Sequence, residues 1–290
     1  MREALLKALA YYKYLGIPHV LQLGISVSAS KSRDYLKELR EDRKFTDRKI
    51  NYTLNKTTED QKTKVSTKRN YDLHYLTKKG VNFLIHHAQL NPNDIRYPKR
   101  PKQYITNDYH HRMASIAIHI SFEQRIQQQN YTNRKALLYY RHNRNGRAKF
   151  NGATRLQISE QNYYTPDILL NYQRADQSEE VFCLEIYKGD RVNYASEQLK
   201  QLFRILDTTK KIEAKINSNA IPRILCVCEN QSTIKGIKER LKPDPNFRVK
   251  HNDQLIFFNT EKNVLQNFDQ GRENINGISI QLSQLKNIEL

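Results

Sequence analysis

The chain has 290 residues, enough for one large domain or two ordinary ones, and its 38% hydrophobic content is enough for a sizeable core. Lys and Arg number 49 against 30 Asp and Glu, a formal charge of +19, which favours a polyanionic partner, nucleic acid first, through phosphate neutralisation and counterion release. There is no run of 18 apolar residues and no basic leader followed by an apolar stretch, so a cytoplasmic protein with no membrane partner is expected.

The basic charge is densest at the front, where residues 1–110 carry 22 Lys and Arg against 11 Asp and Glu. Apolar residues at helical spacing predict a helix over Leu5 to Gly16, a short second helix stopping at Gly24, and a third opened by the serines of "SASKSRDYLKELRED". Three such helices with Gly-bounded turns suggest a helix-turn-helix arrangement. "KFTDRKINYTL" and "YDLHYL" alternate like strands, and the chain turns helical at Thr77. The lysine-rich stretch Asn55–Asn70 between them is too polar to pack. That order matches a winged helix with a long wing over residues 1–90. In such a domain the third helix would offer Lys31, Ser32, Arg33 and Lys37 to the major groove, and the wing would offer Lys62, Lys64, Lys68 and Arg69 to phosphates. Residues 91–107 hold three prolines and a cluster of Lys and Arg, as in a linker.

The second half, 108–260, opens with a helix over "DYHHRMASIAIHISFEQRIQQQ" whose Met113, Ile116, Ile120 and Ile126 suit one buried face. Strand-like runs follow at Ala136–Tyr140, Thr165–Tyr172 and Val181–Tyr187, then a helix from about Tyr194 to Leu206 and a strand at Ile224–Cys228. A helix at Thr233–Leu241 and a strand at Leu255–Phe258 complete the order. This predicts an α+β or α/β core of αβββαβ type, a mixed sheet flanked by helices. Beyond residue 260 only Ile278–Leu282 is strand-like. Cys183, Cys226 and Cys228 all lie in apolar runs with no CxxC pair, so they read as small buried hydrophobes in a reducing compartment rather than zinc ligands or disulfides. There is no GxxxxGK[ST] phosphate loop, which sets aside an NTP-driven motor.

Two acids stand out. Asp167 follows Pro166 at the start of "TPDILL", and Glu185 interrupts the apolar run "VFCLEIY", where a carboxylate must be paired, protonated or bound to a cation. Seventeen residues separate them, enough for two strands joined by the polar turn "RADQSEE". This order, with Asp167 opening one strand and Glu185 in the next, resembles the core of the PD-(D/E)xK nuclease superfamily. More narrowly, a winged-helix front followed by "TPDILL", "FCLEIYKGDR" and "YASEQLKQLFRIL" resembles the replication-relaxation family, which includes MobC-class relaxases of plasmid mobilisation. The resemblance covers roughly residues 5–230. It implies that Asp167 and Glu185 hold Mg²⁺ or Mn²⁺, and that a lysine two residues after the glutamate positions the attacking water. It further implies that the substrate is duplex DNA at a plasmid origin region, with other relaxosome proteins as partners. Hard oxygen ligands on a rigid sheet suit that chemistry, because phosphodiester hydrolysis requires neutralised phosphoryl oxygens and a water of lowered pKa.

At the expected lysine position stands Tyr187, and Lys188 lies one residue further on, so strand alternation would point it to the opposite face. Three arrangements would restore a site: a bulge turning Lys188 inward, Lys200 reaching across from the following helix, or Tyr187 itself facing the metal as a nucleophile. Glu123, the single carboxylate within the first core helix, with His119 four residues earlier, would be a third ligand or a surface pair with that histidine. No histidine-apolar-histidine triplet is present, which sets aside the other major relaxase type. Two functions remain open on sequence: a metal-dependent DNA-nicking enzyme, and a winged-helix DNA-binding accessory or regulator whose nuclease core has decayed.

Overall fold

A computed structural model describes residues 1–49, 52–59, 62–69, 72–98, 109–139, 153–157, 163–189, 191–206, 218, 220–247, 255–268 and 271–280. Over 52–59 and 62–69 the backbone alone is described. The protein is α+β with a mixed sheet, and its residues group into two compact units, Met1–Ile120 and Ser121–Leu290. No described helix is long and apolar enough to cross a membrane.

In the first unit, α1 (Arg2–Tyr12) buries Leu5, Leu6, Leu9 and Ala10. It stops at Lys13, which takes the left-handed conformation at φ 70°, three residues before the expected Gly16. Gly16 instead caps α2 (Ile17–Gln22), donating its N–H to Nδ1 of His19. Helix α3 (Ala29–Glu41) begins at Ser28, whose hydroxyl accepts the Lys31 N–H, so the serine cluster acts as the capping residues predict. β1 (Thr46–Lys49) pairs antiparallel with β4 (Leu73–Leu76). Between them β2 (Tyr52–Glu59) and β3 (Lys62–Arg69) form a separate two-stranded antiparallel ribbon. The stretch expected to be too polar to pack is therefore paired backbone. Its threonines at 53, 57, 58, 63 and 67 favour the extended chain, and ladder hydrogen bonds do not require an apolar face. α4 (Lys78–His86) starts at Thr77, which accepts the Gly80 N–H. In the stretch expected as a linker, Pro92–Asp94 makes a short 3₁₀ turn and the Arg96 N–H donates to the carbonyl of Ala10, while 99–107 lies outside the described residues.

The division between the units falls within α5 (Tyr109–Gln128). This helix does not bury the single expected face: Ala114, Ile116, Ile118, Ile120, Phe122 and Ile126 are all buried, the pattern of a helix covered on several sides.

In the second unit a six-stranded sheet runs in the order β12-β11-β10-β9-β8-β5. β5 (Thr132–Leu138), β8 (Ile168–Gln173) and β9 (Glu179–Tyr187) are antiparallel neighbours, whereas β9, β10 (Pro222–Cys228) and β11 (Ile256–Thr260) are parallel. The parallel steps are made by α6 (Val192–Leu206), after β9, and α7 (Gln231–Leu241), after β10. α8 (Glu261–Gln266) and β12 (Glu273–Asn274) have no counterpart in the sequence reading, since elements this short carry little periodicity. β6 (Leu156–Gln157) pairs with β7 (Tyr163–Tyr164) in a small hairpin.

Strand alternation divides the sheet into two faces. One presents Leu169, Val181, Cys183, Ile224, Cys226, Cys228, Ile256 and Phe258 to Leu199, Leu202 and Phe203 of α6 and Ile234, Ile237 and Leu241 of α7. On the other, Phe122 of α5 packs edge-on against Tyr172, which stacks on Phe182.

Candidate functional site

The β8–β9 register sets Ile168 opposite Leu184, which places Asp167 opposite Glu185 at the end of the ladder. Both carboxylates thus rise from the same face, the one covered by α6 and α7. The ladder closes in an unusual way. The Asp167 N–H donates to the Leu184 carbonyl, and the carboxylate Oδ2 of Asp167 accepts the N–H of Ile186 at 2.7 Å. The carbonyl of Asp167 turns to the other neighbour and accepts the Tyr139 N–H. Asp167 is accordingly a joint of three strands: its side chain takes the place of a backbone acceptor.

Glu185 is only 3% exposed, and thiols and phenols stand beside it as well as Asp167. Cys226 is its register partner on β10, and Cys183 and Tyr187 flank it on β9. Tyr164, on β7, is close enough that burial, and after it the Glu185 carboxylate, push its phenol well above the usual range. Burial and then Glu185 likewise raise the Tyr187 phenol and the Cys183 thiol. The Cys226 thiol is raised by burial, by Cys228 at 3.7 Å, and by Glu185 and Asp167. Carboxylates that reach the same neighbours are close in space, so the fold does bring the two acids together.

The lysines are not brought to them. β9 and β10 pair without interruption from Val181 to Tyr187, so no bulge turns Lys188 inward, and its ammonium pairs with Glu261 and lies 3.9 Å from Glu229. Lys200 pairs with Glu197 at 2.9 Å and approaches Asp244. Tyr187 is buried in the core under α6 with its hydroxyl directed at the Ala195 carbonyl, 3.4 Å away. A covered phenol of raised pKa is a poor nucleophile, so the geometry does not favour a tyrosyl intermediate. Glu123 belongs to the helix packed on the opposite face of the sheet, and His119 lies in the first unit, stacked on Tyr11 and edge-on to Tyr12. Among the described residues, no group of three or more His, Cys, Asp or Glu could hold a metal ion.

Mg²⁺ and Mn²⁺ require about six oxygen ligands with room for water. Around this acid pair stand thiols and aromatic rings, and one carboxylate already serves a backbone amide. Among the described residues, those around the pair do not supply such a ligand set.

Glu180, in the same strand, shows what a fully paired buried glutamate looks like here. Arg174 holds one of its oxygens at 2.8 Å and Arg223 the other, and burial still raises its pKa against both. From sequence it reads as one more charge in the turn "RADQSEE"; only the sheet register reveals the arginines.

In the first unit Lys31, Arg33 and Lys37 are exposed on α3, but Ser32 is buried and its hydroxyl donates to the Ser28 carbonyl, so it is a packing residue. α3 carries four basic and three acidic residues, and Lys37 and Arg40 both approach Glu41. Its exposed face is therefore closer to neutral than its lysines suggest. Lys62, Lys64, Lys68 and Arg69 all fall on β3, and their side chains lie outside the described residues.

Comparison with known families, characterised proteins and solved structures returned no match.

Proposed function

We propose that this protein is a duplex-DNA-binding accessory or regulator of replication or plasmid mobilisation. In this reading the first unit is a winged helix and the second a PD-(D/E)xK-like core whose acid pair packs rather than cuts. The DNA-binding part is supported by the order of three helices, the β1–β4 pair and the separate β2–β3 ribbon, in a chain of charge +19. The ribbon carries five Lys and Arg between 52 and 69 and is the favoured phosphate contact, since α3 largely balances its own charge.

The observation that carries the non-cutting part is the state of the acids. Asp167 closes the strand ladder, Glu185 is sealed among Tyr164, Cys183 and Cys226, and Lys188 and Lys200 are engaged elsewhere. One observation favours metal-dependent nicking instead, namely that the two carboxylates face each other across β8 and β9.

Binding of a labelled short duplex, followed by anisotropy across a salt series, tests the first part. Replacing Lys62, Lys64, Lys68 and Arg69 together by Ala should flatten the slope of log K against log salt by up to roughly 0.9 for each phosphate no longer neutralised. An unchanged slope would remove the ribbon from the interface. Supercoiled plasmid incubated with Mg²⁺ or Mn²⁺ tests the second part. It should stay supercoiled, and nicking that disappears in Glu185→Gln would restore the enzyme.

A further inference from the structure

The β6–β7 hairpin turns two consecutive tyrosines in opposite directions. Tyr164, opposite Leu156, is buried against the acid pair, whereas Tyr163 is 54% exposed. The guanidinium of Arg155 lies over the Tyr163 ring, 3.6 Å from its centroid. This is the closest cation–π pair among the described residues, the others lying at 4.6 to 5.9 Å. One ring face is thus backed by a planar cation, and more than half of the side chain still meets solvent.

Such a two-layer stack is well suited to an unpaired nucleobase. A base stacks on an aromatic face regardless of its sequence, and the neighbouring guanidinium favours both the π-system and the phosphate that follows it. Duplex DNA offers no free base face, so the ligand class is a single strand. We propose that Tyr163 and Arg155 form a stacking site for an unpaired base of single-stranded DNA. The inference rests on the nucleic-acid reading above and adds a second kind of contact to it.

The chain contains no Trp, so Tyr163→Trp would place a single tryptophan at the site, one that is excited selectively at the red edge of its absorption and keeps a stacking face. Titration with oligothymidylate, oligouridylate and a short duplex, with saturation followed in parallel by anisotropy, is the experiment. Saturable quenching by oligothymidylate and little by duplex is expected. Tyr163→Ala should bind oligothymidylate roughly ten-fold more weakly, with duplex affinity and thermal melting unchanged. Unchanged emission at saturation, wild-type affinity in Tyr163→Ala, or a response to RNA alone would overturn the assignment. The duplex arm reports separately on the first unit: loss of duplex binding with quenching intact would count against that unit and leave the stacking site standing.

Discussion

Asp167 shows how one residue type can serve two roles at the same position. A Pro-Asp pair entering a strand is equally a metal ligand in waiting and a hydrogen-bond acceptor, and here its carboxylate takes the Ile186 N–H of the adjacent strand. Asp167→Ala leaves that buried amide without an acceptor. It should destabilise the second unit by about 1–3 kcal/mol, seen as a fall of a few degrees in its melting temperature. A metal ligand that only suffers repulsion in the empty site would give the opposite sign. The cysteines make a second residue-scale test. All three are buried, and burial holds the Cys183 and Cys226 thiols protonated, so the native protein should not react with a thiol reagent at mildly alkaline pH, whereas all three should react after unfolding.

At the scale of elements, local chemistry starts helices more clearly than it stops them. Ser28, Thr77, Asn230 and Thr260 each accept an amide N–H of the first turn of the helix that follows. Asn230→Ala should cost about 1 kcal/mol in the second unit, read by chemical denaturation. Helix α4 depends on a closer fit. A Cβ at Gly80 would lie 2.1 Å from the Phe45 carbonyl oxygen, a backbone atom that cannot move aside without shifting the chain just before β1. Gly80→Ala should therefore destabilise the first unit by at least about 1–3 kcal/mol, and far more than an alanine at the open end of the same helix. The β2–β3 ribbon pairs only with itself among the described strands, so its removal with a short turn in its place should lower DNA affinity while leaving the melting of the unit close to wild type.

At the scale of the whole molecule, the two units should respond differently to acid. Burial lowers the pKa of both His19 and His74 to about 4, from 6.5 in an accessible chain. The unfolded chain therefore binds more protons than the folded one between those values. The stability these neutral rings permit is fully present above pH 6.5 and lost as pH falls towards 4, by up to roughly 3 kcal/mol for each ring. Both histidines lie in the first unit, so its calorimetric transition should move to lower temperature over that window ahead of the other. Much of this architecture was legible in the sequence. The helix starts, the apolar runs of β8, β9 and β10 and the cationic balance all follow from local rules, because capping and strand-length apolar runs are set over a few residues. So did the pairing of Asp167 with Glu185, which two strands and a short turn make nearly unavoidable. What the tertiary structure decided lies beyond that range. Register sent Lys188 to Glu261, helix packing buried Tyr187 and Ser32, and the opposite face of the sheet took Glu123 away. Whether an acid pair is a site or a seam depends on what surrounds it, and those neighbours come from β7, β10 and α6, which only the pairing of strands and the packing of the helix set against the acids.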